Sequence, residues 1–182
     1  KEITAVFAGD LLQAHEAGRD FVREQAMVAV DEPYDIIVTT NSGFPLDQNL
    51  YQTVKGMKAA VGIVREGGHI IMVAACEDGI PDHGRYLKLL VEAGSPQGFL
   101  DMLAQPGFGE QDQWQVQIQA LIQLWAEVHV HSGGLSDEQI RQALFTPCPD
   151  VGDTVRRLAQ EIGPGARICA MPEGPQVIAY LR

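Results

Sequence analysis

Three polar side chains at the start of a predicted helix offer the clearest chemistry in this sequence: Tyr51, Gln52 and Lys55. On a helix, residues three and four apart are surface neighbours, so Gln52 and Tyr51 both adjoin Lys55. A phenol, an amide and an ammonium side by side form a compact polar cluster, and the field at a helix N-terminus favours a bound anion there. The same pattern is also typical of a solvated helix face that carries an ordinary lysine.

The neighbouring segments predict where this polar cluster (Tyr51, Gln52 and Lys55) lies. Segment 36–40 is apolar and β-branched, which indicates a strand, and residues 41–49 carry the turn formers Asn, Ser, Gly, Pro and Asp. Residues 50 to 64 then show the helical spacing of apolar side chains. A strand, a turn and a helix in this order place the polar cluster at the carboxyl end of a strand, where open α/β sheets bind their ligands.

The predicted helix has recognisable ends and one apolar stripe. Asp47 or Asn49 is a candidate N-cap, and Gly67-Gly68 is a candidate left-handed stop. The side chains with core spacing share a single stripe, and they are Leu50, Val54, Met57, Val61 and Val64. Since the polar cluster lies roughly 100° to 200° from that stripe, we expect it to face away from the core.

The rest of the chain alternates between short apolar strand patterns and helical patterns. Strands are predicted at residues 3–8, 26–30, 70–75, 127–131, 166–171 and 176–181, and helices at 10–23, 86–93, 96–103, 111–124, 136–145 and 150–162. This alternation predicts an α/β fold with a largely parallel, possibly mixed, sheet, helices on both faces, and a helical cap or insertion around residues 80–125. We interpret residues 1–182 as a single α/β domain.

The helix predicted at residues 111–124 is rich in glutamine. Trp114, Ile118, Leu121 and Trp125 share one of its faces. We expect that apolar face to pack and the glutamine face to be exposed to solvent.

Composition and charge exclude several classes of function. The 24 acidic residues outnumber the 13 basic ones, which gives a formal net charge of −11 and argues against a nucleic-acid partner. No apolar stretch approaches the roughly 20 residues of a membrane span, and no signal-peptide pattern opens the sequence. We therefore predict no membrane partner and a location in the cytoplasm.

The remaining metal-type side chains form no recognisable site in the sequence. His129 and His131 share one face of a predicted strand, but we find no neighbouring carboxylate or cysteine that completes a metal site, and we interpret them as polar packing. His69 is interpreted as a surface or hydrogen-bonded position, and His83 as an exposed loop residue that could approach a site. The cysteines lack zinc spacing and are interpreted as free thiols. We predict no metal ligand, and the roles of His83, His129 and His131 stay open.

A long motif around the polar cluster carries a family resemblance. The string from Thr39 to Met57, Thr-Thr-Asn-Ser-Gly-Phe-Pro-Leu-Asp-Gln-Asn-Leu-Tyr-Gln-Thr-Val-Lys-Gly-Met, closely resembles the C-terminal domain of the nickel-pincer-nucleotide-dependent lactate racemase family. The likeness continues through residues 59–60, 66–68 and 76–79, and residues 5–18 also look like the start of that domain. A motif this long and mixed in residue type is far more specific than a short glycine pattern.

The resemblance implies that this chain is the C-terminal domain of a longer two-domain enzyme, an isomerase. The N-terminal domain of such an enzyme holds most of the nickel-pincer nucleotide and supplies the histidine acid and base, and no segment of this chain matches those motifs. Tyr51, Gln52 and Lys55 would bind substrate or cofactor from the C-terminal side. Gln52 and Lys55 would be the catalytic residues of this part, because they would position the carboxylate or hydroxyl of the substrate, and Tyr51 would close the wall beside the cofactor.

The implied reaction is racemisation or epimerisation of a lactate-type 2-hydroxy acid by hydride transfer to the nickel-pincer nucleotide. The chain alone would hold no cofactor and would be inactive. Two other functions stay open from the residues themselves. One is another hydroxy-acid enzyme on the same scaffold, since one fold supports many chemistries. The other is a non-catalytic domain in which the polar cluster binds a carboxylate ligand.

Overall fold

The structure is a computed structural model that describes residues 2–182. Its strands are β1 (Met27–Val30), β2 (Tyr34–Thr40), β3 (Val64–Val73), β4 (Glu127–His131), β5 (Thr146–Pro147), β6 (Ile168–Met171) and β7 (Ile178–Leu181). Five of them form a sheet in the order β5-β4-β3-β2-β6, and β1 pairs with β7. Every pairing is parallel, which confirms the predicted sheet type.

The helices are α1 (Leu11–Ala26), α2 (Leu50–Val61), α3 (Tyr86–Ala93), α4 (Pro96–Leu103), α5 (Gln113–Trp125), α6 (Asp137–Gln142) and α7 (Val151–Ile162), with a 3-10 turn at Gly174–Gln176. α2 and α5 pack against the five-stranded sheet on one face, and α7 packs against β2 on the other. α3, α4 and α5 follow β3 and precede β4 along the chain, and they pack against one another. They confirm the predicted helical insertion. Within residues 2–182, no helix is both long and apolar enough to cross a membrane.

The central strands are buried on both faces, as the continuous apolar strand patterns predict. Ile36 and Ile37 are neighbours on β2, and both are fully buried. Because successive strand side chains point to opposite faces, Ile37 packs in the core beneath α2 and α5, whereas Ile36 packs with Leu158 of α7. Full burial of an isoleucine side chain contributes about 1.5–3 kcal/mol to folding.

A glycine lets α2 lie close to the sheet. Gly56 is buried in α2, and a methyl group at this position would lie well inside van der Waals contact of the Thr40 carbonyl at the end of β2. Its second neighbour would be the Met72 side chain of β3. The absence of a side chain at position 56 therefore sets the height of α2, and with it the height of the polar cluster, above the sheet.

We expect Gly56→Ala to lower the free energy of unfolding by about 1–3 kcal/mol, the usual cost of overpacking, because the backbone of β2 cannot move aside. In an open helix the same change would raise stability by about 1 kcal/mol, so the sign of the effect is diagnostic. Urea unfolding of the variant measures it. Gly109→Ala is the control, because nothing lies within 4 Å of the added methyl group there.

The structure corrects two local predictions. Residues 3–8 form no strand. β1 and β7 pair only with each other, in a separate two-stranded sheet. α2 ends at Val61 with Gly62 as its C-cap, so Gly67-Gly68 is not a helix stop and lies within β3. Val64 is the first residue of β3. It lies three residues after Val61, so the sequence pattern extended the helical spacing into the strand.

The glutamine face of α5 is the larger error. Gln115 and Gln119 are buried, whereas Trp114 and Leu121 are each about half exposed. The buried amides are satisfied: Gln119 Nε2 donates to the carbonyl of Ala143 at 2.7 Å, and its Oε1 accepts from the Tyr86 hydroxyl. A buried polar side chain with its bonds completed carries little penalty, so the amides of α5 serve as core contacts.

Candidate active site

Asn41 follows β2 directly and connects the strand end to the first turn of α2. Its Nδ2 donates to the carbonyl of Leu46 within the loop, and to the carbonyl of Gln52 at 3.2 Å. The side chain is buried, so these bonds form in a medium of low dielectric constant, where they are strongest. The backbone that carries Gln52 is thereby fixed relative to the sheet.

Asp47 joins the same loop to the segment that follows β3. Its Oδ2 accepts from the amide of Ala75 at 2.9 Å, and its carbonyl accepts from the amide of Cys76 at 3.0 Å. The amide of Leu50 donates to the carbonyl of Gly79 at 3.1 Å. The loops after β2 and β3 therefore meet at the carboxyl ends of adjacent parallel strands, the usual ligand-binding edge of an open α/β sheet.

The first turn of α2 has a side-chain cap and no acidic side chain of its own. Asn49 is its N-cap, which confirms one of the two predicted residues, and Asn49 Oδ1 accepts from the amide of Gln52 at 3.1 Å. This turn, which lies wholly within the described residues, contains no acidic side chain. The positive end of the helix dipole favours an anion at this turn, and the acidic group that acts on Tyr51 there is the Asp112 carboxylate, which comes from the helical insertion.

Tyr51 is held by aromatic neighbours from the helical insertion. Its ring meets Tyr86 edge-on at a centroid distance of 5.4 Å and Trp114 at 5.9 Å. The carbonyl of Tyr51 accepts from Gln115 Nε2 at 2.6 Å. Burial, and then the nearby Asp112 carboxylate, raise the pKa of Tyr51, so its phenol stays neutral and remains a hydrogen-bond donor.

Gln52 and Lys55 form a joined pair on the outer surface of α2. Lys55 Nζ donates to Gln52 Oε1. Lys55 is exposed, and no ion pair among residues 2–182 involves it. The chain has a net charge of −11, which repels anions in general. An ammonium without a carboxylate partner creates a local positive potential that attracts an anion to this position.

A cleft of about 240 Å³ opens beside the pair, and its lining residues are Asn49, Tyr51, Gln52, Pro81, His83, Gln111 and Asp112. Lys55 lies outside this lining and borders, with Lys58, a separate depression that shares no lining residue with the cleft. The structure therefore brings Tyr51 and Gln52 into one cleft and places Lys55 at its side through the bond to Gln52. A second cavity of about 390 Å³ shares Asn49, Pro81 and His83 with this cleft, so the open space at this edge of the sheet extends beyond the cleft itself.

Sequence reasoning missed the contribution of the helical insertion to this cleft. Gln111 and Asp112 lie about sixty residues from Tyr51 in the chain, and no local pattern connects them. Asp112 adopts a left-handed backbone conformation with φ of 67° and accepts from the amide of Arg85 at 2.9 Å.

The histidines separate into different environments. His83 lines the cleft, and its side chain is almost fully exposed, in line with the prediction of an exposed loop residue near a site. His131 Nδ1 donates to the carbonyl of Cys148 at 2.8 Å, which fits the predicted polar packing. His129 is buried on β4, on the α7 face of the sheet. The three cysteines are free, as predicted, and burial raises the pKa of the Cys76 thiol.

Comparison with known sequences assigns the family. The family described as the lactate racemase C-terminal domain matches residues 29–179. The chain belongs to this family. The matched range contains the five-stranded sheet, the helical insertion and the whole polar cluster, whereas α1 lies before it.

Two curated lactate racemases match almost the entire chain. The enzyme of Thermoanaerobacterium thermosaccharolyticum is 35% identical over 179 residues, which are 97% of this chain and 42% of that protein. The enzyme of Lactiplantibacillus plantarum is 38% identical over 181 residues, which are 98% of this chain and 42% of that protein. The chain thus spans about two fifths of the length of these lactate racemases.

Solved structures support the same fold. The lactate racemase apoprotein of Thermoanaerobacterium thermosaccharolyticum superposes with a TM-score of 0.81 at 34% identity, over 91% of this chain and 40% of that one. A protein from Thermotoga maritima superposes with a TM-score of 0.64 at 13% identity, over 94% of this chain and 42% of that one. The second likeness shows the fold alone.

Proposed function

We propose that this chain is the C-terminal domain of a longer two-domain racemase or epimerase, an isomerase that acts on lactate or a similar 2-hydroxy acid. The observation that carries the proposal is the Gln52–Lys55 pair beside a cleft of about 240 Å³, in a chain of the lactate racemase C-terminal domain family. In this proposal, Lys55 binds the substrate carboxylate, Gln52 binds the carboxylate or the hydroxyl, and Tyr51 forms a wall.

The bond between the two side chains supports distinct roles for them. A lysine ammonium has donors only, so Gln52 must present its Oε1 to Lys55, and its amide Nε2 then points away from the ammonium. The Nε2 is a donor suited to a substrate oxygen, and the remaining N–H groups of Lys55 serve a carboxylate. A fixed pair of donors would hold a planar 2-keto acid by its carboxylate while the other end of the molecule turns over.

The described residues fit the substrate side of a nickel-pincer nucleotide rather than its main binding site. The polar cluster contains a single cation, where a nucleotide phosphate prefers several donors. When bound, this cofactor would accept a hydride from C2 of the substrate and return it. The N-terminal domain would hold it and supply the acid and base, and Tyr51, Gln52 and Lys55 would face it.

Two aromatic side chains near the cleft indicate the surface that the partner domain would cover. Phe44, in the loop after β2, is largely exposed, and Trp114, beside Tyr51, is about half exposed. The lactate racemases that match this chain are more than twice its length. We propose that the N-terminal domain of the same polypeptide covers these aromatic side chains and closes the cleft. The predicted location in the cytoplasm stays a prediction.

The test is a racemisation assay of the full-length polypeptide that contains this chain, with its cofactor. L-lactate carrying deuterium at C2 should yield D-lactate that keeps the deuterium, because a hydride returned from a cofactor does not exchange with water. Chiral chromatography with mass spectrometry measures both product and label. If neither lactate nor any other 2-hydroxy acid in a panel is racemised, the proposal is wrong. Racemisation with loss of the label would retain the substrate and reject hydride transfer.

A further inference from the structure

A second polar cluster, made of His69, Glu127 and His129, lies on the opposite face of the sheet from α2. Glu127 and His129 are on β4, and His69 is on β3, directly opposite Glu127 in the parallel pairing. Their side chains share the face that packs against α7, together with Ile71. The sheet therefore separates this second cluster from Tyr51, Gln52 and Lys55.

The ligand-type atoms of the three side chains converge. His129 Nε2 lies 3.3 Å from His69 Nδ1. Glu127 Oε1 lies 3.6 Å from His129 Nε2, and Glu127 Oε2 lies 3.6 Å from His69 Nδ1. In a tetrahedral zinc site with bonds of about 2.0–2.2 Å, neighbouring ligand atoms are about 3.3–3.6 Å apart. The spacing between the two imidazole nitrogens therefore matches two corners of such a site. The two distances from Glu127 belong to different oxygens, but one ligand atom from each residue lies within 4.8 Å of the others, so rotation of the carboxylate would bring one oxygen to a third corner.

The chemistry of the side chains agrees with the geometry. Two imidazoles and one carboxylate are a common ligand set for Zn²⁺ with a position left for water. Burial lowers the pKa of both His69 and His129, which favours the neutral imidazoles that metals bind. The Thr146 hydroxyl lies 3.4 Å from Glu127 Oε1 and can donate to it, which restrains the carboxylate.

The second cluster is reachable from solvent. The Glu127 side chain is 52% exposed and the His69 side chain 16% exposed, so an ion could enter from that side. His129, at the bottom, is 1% exposed and supplies the buried ligand. Neighbouring charges come from α7, where Arg157 pairs with Glu161 at 2.9 Å, and from Arg65 of β3, which pairs with Asp35. Because each arginine is paired with a carboxylate, its repulsion of a cation is reduced.

We propose that His69, Glu127 and His129 form a binding site for one divalent transition-metal ion of the zinc type, with water in the remaining position. The site would fix β3 to β4 across the α7 face of the sheet. It is independent of the racemase proposal, since none of its residues touches the polar cluster. The competing explanation is a plain hydrogen bond between two neutral imidazoles, which the distance of 3.3 Å also allows.

Isothermal titration of the metal-free 182-residue chain with ZnCl₂ separates these explanations. We expect saturable binding of one ion, and a thermal midpoint that rises with added zinc, because an ion that binds only the folded state stabilises it. Co²⁺ should give the intense visible absorption of a tetrahedral site. Loss of a residue that only supports a metal ligand weakens binding by about 10–100-fold. Glu127→Gln and His69→Gln each remove a ligand, so each should weaken zinc binding by more than that.

Two controls keep the result interpretable. His83→Ala removes an exposed imidazole outside the second cluster and should leave zinc affinity unchanged. Glu127→Gln is nearly isosteric and half exposed, so its fold should survive, which circular dichroism checks directly. The proposal is overturned by the absence of saturable zinc binding to the wild-type chain, or by equal affinity in the wild type and the Glu127→Gln variant. Weak binding that disappears in His83→Ala would also overturn it.

Discussion

Replacing Lys55 by alanine in the full-length enzyme should lower kcat/KM for lactate by about 1.5 to 3.5 orders of magnitude. In the full-length enzyme the N-terminal domain is proposed to close the cleft and bury this pair. Truncating one partner of a buried, hydrogen-bonded charge pair costs about 2–5 kcal/mol, and about 1.4 kcal/mol corresponds to a tenfold change in rate. The ammonium has no carboxylate partner among residues 2–182, so its charge is available to a substrate. Steady-state kinetics in both directions measure the effect.

The division between kcat and KM shows how Lys55 acts. If it binds the carboxylate equally well throughout the reaction, KM rises and kcat changes little; if it holds the intermediate during turnover, kcat falls as well. Lys58→Ala is the matched control, because Lys58 is exposed on the same helix and should alter the barrier by no more than about 0.5 kcal/mol. Unchanged kinetics in Lys55→Ala would remove this residue from the site.

The second large effect is the loss of activity when this chain is separated from the proposed N-terminal domain. The isolated chain should show no racemisation above the uncatalysed rate, because the groups that hold the cofactor and the acid and base lie elsewhere in the proposed enzyme. Adding the separately produced N-terminal domain with its cofactor should restore activity in proportion to the complex formed. D-lactate production from L-lactate measures it.

The same preparation tests the non-catalytic alternative. Calorimetric titration of the isolated chain with 2-hydroxy acids should give weak binding at most, since Lys55 is exposed and an ion pair in water contributes only about 0–1 kcal/mol. Tight saturable binding without the other domain would favour a carboxylate-binding function. Racemisation by the isolated chain would contradict the two-domain account.

The fold was predictable where local pattern and tertiary packing agree. The strand around residues 36–40 and the helices Tyr86–Ala93 and Pro96–Leu103 follow directly from apolar runs, from Pro96 at the first helical position and from Gly94 after a helix. The strand predicted at 3–8 failed because an apolar run becomes a strand only when another strand pairs with it. No sequence pattern reports that pairing.

The glutamines of α5 illustrate why burial was harder to predict than helix position. A polar side chain is usually assigned to the solvent face, and that assumption fails when backbone carbonyls lie within reach. Gln115 and Gln119 donate to the carbonyls of Tyr51 and Ala143, which are distant in sequence. These partners become neighbours only after the sheet has formed.

The candidate site divides in the same way. Helical spacing was sufficient to place Gln52 beside Lys55, and the structure joins them by a hydrogen bond. It was not sufficient to bring Asp112 to the cleft, or to bring His69 opposite Glu127, because both require the register between separate elements. Glu127 lies two residues before His129 on the same strand face, so the period of two could have identified that half of the second cluster.

The central claim is that the Lys55 ammonium binds the acid group of the substrate. The most direct test is a crystal structure of the full-length enzyme with a bound 2-hydroxy acid or its 2-keto acid. The account predicts a Lys55 Nζ to carboxylate oxygen distance of about 2.7–2.9 Å, with Gln52 Nε2 donating to a second oxygen of the same molecule. A carboxylate bound elsewhere, with Lys55 Nζ more than about 6 Å away, would contradict it.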